Sequence, residues 1–335
     1  MKEEVDMKIL ENIQVPTGNI LIVQGQYGKL EMLSIGDYGK EKNLKADFLG
    51  LHKEINGVPH GKILSLTEKW VITISTQYGC SMGCTFCDVP KVGSGKNATY
   101  KDLIKQVLQG IYLHPEISSS KRLNVHFARM GEPTWNPNVL DAVRWMKDHL
   151  DNEYHVHPVV STMMPKRNEW LRTFIHTWMR IKNRLYHGNA GLQLSINSTN
   201  EEERNKMFNN NCLSLYEIRQ IMTGIIPSGR KITLNFALAG YEINEKTLKQ
   251  YFDPDDYLIK ITPMHYTKSC ETNKIITENG YNSYYPYKEI EEKLKSVGYD
   301  VIVFIPSYEE DLGRITCGNA ILSGTRPFDQ NINNQ

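Results

Sequence analysis

From residue 71 onward, short β-branched runs alternate with longer stretches whose apolar residues recur at helical spacing. The spacing predicts strands at 71–76, 123–128, 156–162, 191–197, 231–238 and 257–262. It predicts helices between them at 100–113, 138–150, 168–185, 201–207, 215–225 and 245–251. Strand–helix alternation with right-handed crossovers gives a parallel sheet covered by helices. Six units are too few for a closed eight-fold barrel. The expected fold class is therefore α/β, a partial (β/α)6 barrel spanning residues 69–270. Residues 1–68 differ: Gly18–Gln24 and Lys29–Ser34 form a hairpin around Gly25–Gly28, so a small N-terminal β-rich extension is expected there. Residues 271–335 are expected to form a C-terminal helix–strand extension, with a helix at 287–297, a strand in the apolar run Val301–Ile305 and a loop carrying Cys317.

Three cysteines, Cys80, Cys84 and Cys87, fall in one loop just after the first predicted strand, in Thr76-Gln-Tyr-Gly-Cys-Ser-Met-Gly-Cys-Thr-Phe-Cys87. A [4Fe–4S] cluster ordinarily takes four cysteine ligands. Three leave one iron open to hold a ligand by its amino and carboxylate groups, and S-adenosylmethionine (SAM) is the ligand associated with this spacing. With Phe86 before the last cysteine, the stretch carries the radical-SAM signature. Clustered cysteines also serve as zinc ligands or disulfide partners. Structural zinc sites, however, arrive as two separated pairs or as a pair plus histidines, and the chain has no second Cys-x-x-Cys. Met130-Gly-Glu-Pro133 follows the second strand, where Gly131 lets the backbone approach a ligand and Glu132 can accept from an ammonium group. Ser161-Thr162 ends the third strand and Ser195-Ile196-Asn197 the fourth. Each alone suits a helix cap; as a series at one rim they are candidate contacts for ribose or the methionine carboxylate.

Composition changes this picture little. Of 335 residues, 40% are hydrophobic and 23% charged, and the formal net charge is +1, which gives no global attraction to nucleic acid. No apolar run reaches the ~18–20 residues that span a bilayer, and Met1–Lys8 lacks the apolar core of a signal peptide. Thiolate ligands for iron need a reducing compartment, so a cytoplasmic location is expected. Between Lys166 and Arg184 six basic residues accompany Trp170, Phe174, Trp178 and Ile181 at helical spacing. That is a buried stripe with bases on the wet face, or an RNA-binding face. Cys212 and Cys270 lie in polar loops and are expected to be surface or half-buried thiols.

The order of these pieces resembles the RlmN/Cfr-type radical-SAM methyltransferases, which methylate an adenine of large-subunit ribosomal RNA. The resemblance rests on Ser75–Cys87, Met130–Pro133, Ser161-Thr162, Leu194–Ser198, Asn200-Glu-Glu-Glu-Arg204, Ile261-Thr-Pro263 and Arg314-Ile-Thr-Cys-Gly318, and runs from about residue 70 to 322. It implies a [4Fe–4S] cluster on Cys80, Cys84 and Cys87, with SAM held by Gly131, Glu132, Ser161, Ser195, Ile196, Asn197 and His265. It also implies an RNA or nucleotide substrate and an electron donor such as flavodoxin or ferredoxin. In this family one SAM methylates a late cysteine, here Cys317. A radical drawn from a second SAM then activates that methyl group for addition to an sp² carbon, and a second cysteine releases the product by disulfide formation. The second cysteine's position is Thr73 here, and the family's general-base glutamate falls near His60, with Glu54 and Glu68 the nearest acids. Residues 1–69 leave no room for the family's N-terminal RNA-recognition domain beside the β extension. Two other readings stay open: a different radical reaction on a nucleotide, peptide or small molecule, and a binding protein with a vestigial cluster.

Overall fold

The computed structural model describes residues 7–15, 17–37, 63–276, 285–305 and 308–328. Strands β1 (Ile9–Val15), β2 (Gly18–Gly25) and β3 (Gly28–Gly36) form an antiparallel meander. β3 pairs antiparallel with β4 (Trp70–Ile74). A separate ribbon of β5 (Gln77–Gly79) and β6 (Ser94–Asn97) brackets the three-cysteine loop. From β4 the sheet continues through β7 (Leu123–Phe127), β8 (Val156–Thr162), β9 (Gly191–Ser195), β10 (Ile232–Leu238), β11 (Tyr257–Pro263) and β12 (Asp300–Val303), every pairing parallel. The six expected strands are present, and the run 301–305 supplies a seventh parallel strand, with Val301 and Val303 buried. β1, which lacks a clear period, was not legible in the sequence.

The helices are α1 (Tyr100–Tyr112), α2 (Asn138–His149), α3 (Asp151–Tyr154), α4 (Leu171–Arg180), α5 (Glu201–Met207), α6 (Leu215–Met222), α7 (Glu245–Tyr251), α8 (Lys268–Thr272), α9 (Tyr285–Ser296) and α10 (Tyr308–Leu312). Their starts are chemically marked. Thr99 and Asp102 form a reciprocal capping box on α1, and Ser214 and Glu217 one on α6. Alternation along the parallel strands sends one set of side chains to the helix layer and the other inward. Residues of β3, β4 and β7–β12 line one cavity, so the sheet curls into an open barrel.

The basic stripe needs correction in two places. Phe174, Trp178 and Ile181 are buried, but Trp170 is 63% exposed because it caps α4 rather than lying within it. Lys182 is fully buried in the π-turn that continues α4, and its ammonium donates to Ser228 O. Burial pushes its pKa down to about 8, with Arg230 adding to the shift.

The C-terminal segment closes the seam between the two ends of the sheet. Ile321 packs with Val15, Ile20, Ile22 and Leu33 of the N-terminal meander, and Arg326 pairs with Glu11. At the centre of this seam Glu31 and Arg129 form a fully buried ion pair. Glu31 also accepts from the backbone N–H groups of Ile321 and Leu322, and Arg129 donates to Arg314 O. One ion pair thereby ties the meander, the end of β7 and the Cys317 loop together.

Candidate active site

The three cysteines follow β4 at the C-terminal end of the parallel strands, where loops of an α/β barrel converge. The loop is held from outside. Thr85 N and Oγ1 both donate to Met207 O, and Asn211 Nδ2 donates to Met82 O, so the residues after α5 staple it. Gly83 turns with φ +68°, a left-handed conformation that favours glycine, and a Cβ there would press on Asn209 Nδ2 at 2.7 Å. Met82, Met163, Met207, Phe208 and Met264 wall the site with apolar and thioether groups. Burial pushes the Cys80 thiol up to about 11, with the Glu132 carboxylate adding to the shift; burial also raises Cys84, and the neighbouring Cys87 and Cys80 add to that rise. Such thiols ionise when a metal binds them.

All six cysteines are free thiols. Three thiols on one loop, walled by apolar and thioether groups, are the donor chemistry an iron–sulfur cluster takes.

Glu132 lies beside the triad, its charge felt by Cys80 and Cys84. It is fully buried, and burial raises its pKa against hydrogen bonds from Thr162, Met163 N and Thr134. Gly131 adopts φ +94°, and a Cβ there would meet the Gln77 side chain at 2.5 Å. Gln77 accepts from Glu132 N and donates to Gly95 O and Asn97 Oδ1, which joins the Gly-Glu-Pro turn to the β5–β6 ribbon. The other rim residues are placed differently from one another. Ser161 points into the barrel and donates to Gln193 Oε1, which also accepts from Asn235. Ser195 is half-buried beside Asn235. Ile196 is fully buried, its carbonyl taken by Arg204. Asn197 adopts φ +59°, accepts from Ala237 N and donates to Met207 Sδ. Its side chain is tied into the fold, leaving backbone edges at the rim. His265 Nδ1 lies 3.0 Å from Asp311 Oδ1, but off the line of a hydrogen bond.

The structure brings Cys317 to the triad. Asp88 N donates to Gly318 O at 2.8 Å, and Cys87 Sγ lies 3.7 Å from the same oxygen. Cys317 itself is exposed. Two buried aspartates absent from the sequence reading hold this arrangement. Asp88 accepts from Lys268 N, Ser269 N, Ser269 Oγ and Lys91 Nζ, which anchors α8 under the loop. Asp311 accepts from Tyr266 N and Thr316 Oγ1. A charged residue directly after the last cysteine was the signal available for Asp88; Asp311 had none. Replacing Asp88 with alanine leaves the buried Ser269 N–H and the half-buried Lys268 N–H unpaired. We expect a loss of about 3 kcal/mol or more in urea unfolding, together with faster proteolysis of 308–318. Unchanged stability would refute the anchoring role.

Cys212 and Cys270 are not the surface thiols their polar loops suggested: they are 1% and 2% exposed. Cys270 Sγ lies 3.4 Å from both Phe86 O and His265 O, under the three-cysteine loop, and burial pushes its pKa up to about 11. Thr73 shares a barrel-facing register with His126. Glu68 pairs with Lys121 on the surface; His60 and Glu54 lie outside the described residues.

No family model matches the chain. Among curated relatives, the probable dual-specificity RNA methyltransferase RlmN of Thermus thermophilus is 30% identical over 174 residues, covering 50% of this chain and 45% of that protein. The dual-specificity RNA methyltransferase RlmN of Campylobacter lari is 33% identical over 109 residues, 32% of this chain and 30% of that one. The ribosomal RNA large subunit methyltransferase Cfr of Lachnoclostridium phytofermentans is 37% identical over 75 residues, 22% and 20% respectively. The chain thus matches less than half the length of these relatives. A solved structure, a radical SAM methyltransferase from Sphaerobacter thermophilus, superposes with a TM-score of 0.64 at 17% identity, covering 93% of this chain and 80% of that one. The fold is that of a radical-SAM barrel. Within that class, the chain is related to the RlmN/Cfr-type radical-SAM methyltransferases.

Proposed function

We propose that this protein is a radical-SAM iron–sulfur enzyme that transfers a methyl or methylene group through Cys317 to an sp² carbon of a nucleic-acid base. Cys80, Cys84 and Cys87 hold a [4Fe–4S] cluster, and SAM sits against Gly131, Glu132, the rim of Ser161, Ser195, Ile196 and Asn197, and His265. When bound, these groups supply reductive cleavage of SAM and hence a carbon-centred radical. The chain's own residues do the rest. Glu132 presents a buried carboxylate beside the open corner of the triad, as an ammonium acceptor. The methionine wall excludes water that would quench a radical. The docked Cys317 loop brings a nucleophilic sulfur to the same rim.

The observation that carries this reading is the hydrogen bond from Asp88 N to Gly318 O, which seats the peptide after Cys317 on the third cysteine of the triad. RNA is the substrate favoured by the named activity of the relatives, and an electron donor such as flavodoxin or ferredoxin would serve the cluster. A cytoplasmic location is proposed because thiolate ligands for iron need a reducing compartment; no helix among the described residues is long and apolar enough to cross a membrane.

The test is anaerobic incubation of the reconstituted protein with SAM and a reductant. We expect 5′-deoxyadenosine in solution and one added methyl group on the Cys317 peptide by mass spectrometry. With RNA present, a persistent protein–RNA adduct is expected, because Thr73 offers no thiol and Cys212 and Cys270 are buried. Formation of 5′-deoxyadenosine with Cys317 unmodified points instead to another radical reaction. Neither product means that the chain is not such an enzyme.

A further inference from the structure

The fold divides the basic stretch after β8 between two neighbours. Lys166 donates to Asn205 Oδ1 and Arg172 to Gln220 O, so both are engaged toward α5 and α6. Arg167, Arg180 and Arg184 line a groove on the other side, between α2 and α4. The head of the groove is a hollow of about 200 Å³ against Leu140 of α2 and Phe174 of α4, flanked by Trp135 and Trp170. Its body is a wider hollow of about 570 Å³, between Arg144 and Asp148 of α2 and Thr177, Arg180 and Arg184 along α4 and its π-turn. Arg144 is one turn beyond Leu140, and Thr177 one turn beyond Phe174, so the two hollows follow the same pair of helices. From Trp170 to Arg184 the groove runs about 20 Å, at ~1.5 Å per residue.

Charge along the groove is unbalanced. Arg144 pairs with Asp141 at 2.8 Å, and Asp148 and Glu169 are the acids of the walls. Among the described residues no carboxylate lies within ion-pair distance of Arg167, Arg180 or Arg184, and Arg180 bonds only to Thr177 Oγ1. All three arginines are exposed, and so is the Trp170 indole. An indole left in water beside a row of guanidiniums without counter-charge suits a single-stranded polynucleotide, whose bases stack on aromatic rings while its phosphates track a positive groove. An acidic peptide would use the arginines but leave the indole without a flat partner. The head of the groove also adjoins the candidate active site. Thr134, whose hydroxyl donates to Glu132, lines it, and so does Trp135, which packs on the methionine wall.

We propose that this groove holds the single-stranded RNA that flanks the reacting base, with one base stacked on Trp170 and the backbone following Arg180 and Arg184 down the outside of the barrel. This rests on the nucleic-acid reading given above and adds to it the path of the strand. Arg144 faces the same backbone from α2, and Arg167 stands at the head.

The test is binding of a short fluorescein-labelled oligoadenylate to the reconstituted holoprotein, followed by anisotropy over a range of salt concentrations. In the double variant Arg180→Gln, Arg184→Gln, the slope of log K against log salt should fall in magnitude by about 1.4, two single-strand phosphate contacts at about 0.7 each. Trp170→Ala should weaken binding about tenfold, the loss of one stacked base, and leave the slope unchanged. All three substitutions fall on exposed side chains, and iron content matching the wild type reports that the variants fold. Without RNA, 5′-deoxyadenosine formation should also match the wild type. Its absence from the wild type would count against the reaction and not the groove, which the binding data decide alone. No saturable binding by the wild type, an unchanged slope in the arginine variant or unchanged affinity in Trp170→Ala would each overturn the proposal. Displacement of the labelled strand by polyglutamate as readily as by unlabelled oligoadenylate would overturn it too, in favour of an acidic peptide.

Discussion

Cys84→Ala is expected to reduce iron incorporation and SAM-dependent 5′-deoxyadenosine to background, while leaving a folded protein. Cys84 is the middle member of the triad and is surrounded by Met82, Met163 and Met207, with Sγ 3.9 Å from Met163 Sδ. Loss of one thiolate from three leaves a cubane with two irons lacking protein ligands, so the effect should exceed the ~10–100-fold typical of changes outside the ligand set. The thiol makes no structural hydrogen bond to the backbone that alanine would strand. Cys212→Ala is the matched control, since Cys212 lies near enough for its charge to bear on Cys84 yet hydrogen-bonds only to Arg204 O. It should keep its iron. Iron and sulfide assays with the electronic spectrum give the answer. Full iron content in Cys84→Ala, or zinc in place of iron in the wild type, would remove the basis of the proposed function.

The second large effect concerns the buried ion pair at the seam. Arg129→Met leaves Glu31 charged and buried with only two backbone donors, and should cost about 3–5 kcal/mol in urea unfolding. It also frees Arg314 O, so trypsin should cut the Cys317 loop faster. Glu31→Gln in the same background removes the stranded charge while keeping an acceptor for Ile321 and Leu322 N–H. The double variant should regain about 2 kcal/mol of the loss. Should Arg129→Met unfold at the wild-type midpoint, the pair is not what holds the seam. A double variant no better than the single would instead mean that the hydrogen bonds, and not the charge, matter.

These two sites differ in how far a linear reading reaches them. The triad could be picked out in the sequence because its pattern is local: three sulfurs and two glycines lie within one loop. The strands 156–162 and helices 201–207 and 245–251 coincide with the observed elements, since a period of 2.0 or 3.6 flanked by caps is also a local property. Trp170 shows the limit of periodicity. It continues the apolar stripe on paper, but the helix starts one residue later and the indole turns outward. Glu31 looked like an ordinary polar position in an alternating strand, and Arg129 like a basic residue before a turn. Their partnership spans 98 residues and depends on which strand lies beside which.

By itself the sequence determined the α/β alternation, the sulfur triad, the Gly-Glu-Pro turn and the absence of a cysteine at position 73, because each is written in neighbouring residues or in a short repeat. Tertiary structure decided that the C-terminal strand joins the main sheet beside β11, the burial of Cys212 and Cys270, the arginine-lined groove and the seating of Cys317. The contact from Cys87 to Gly318 joins residues 231 positions apart. No local propensity specifies such a pairing; it follows only once strand register and the closing seam have brought the two ends of the sheet together.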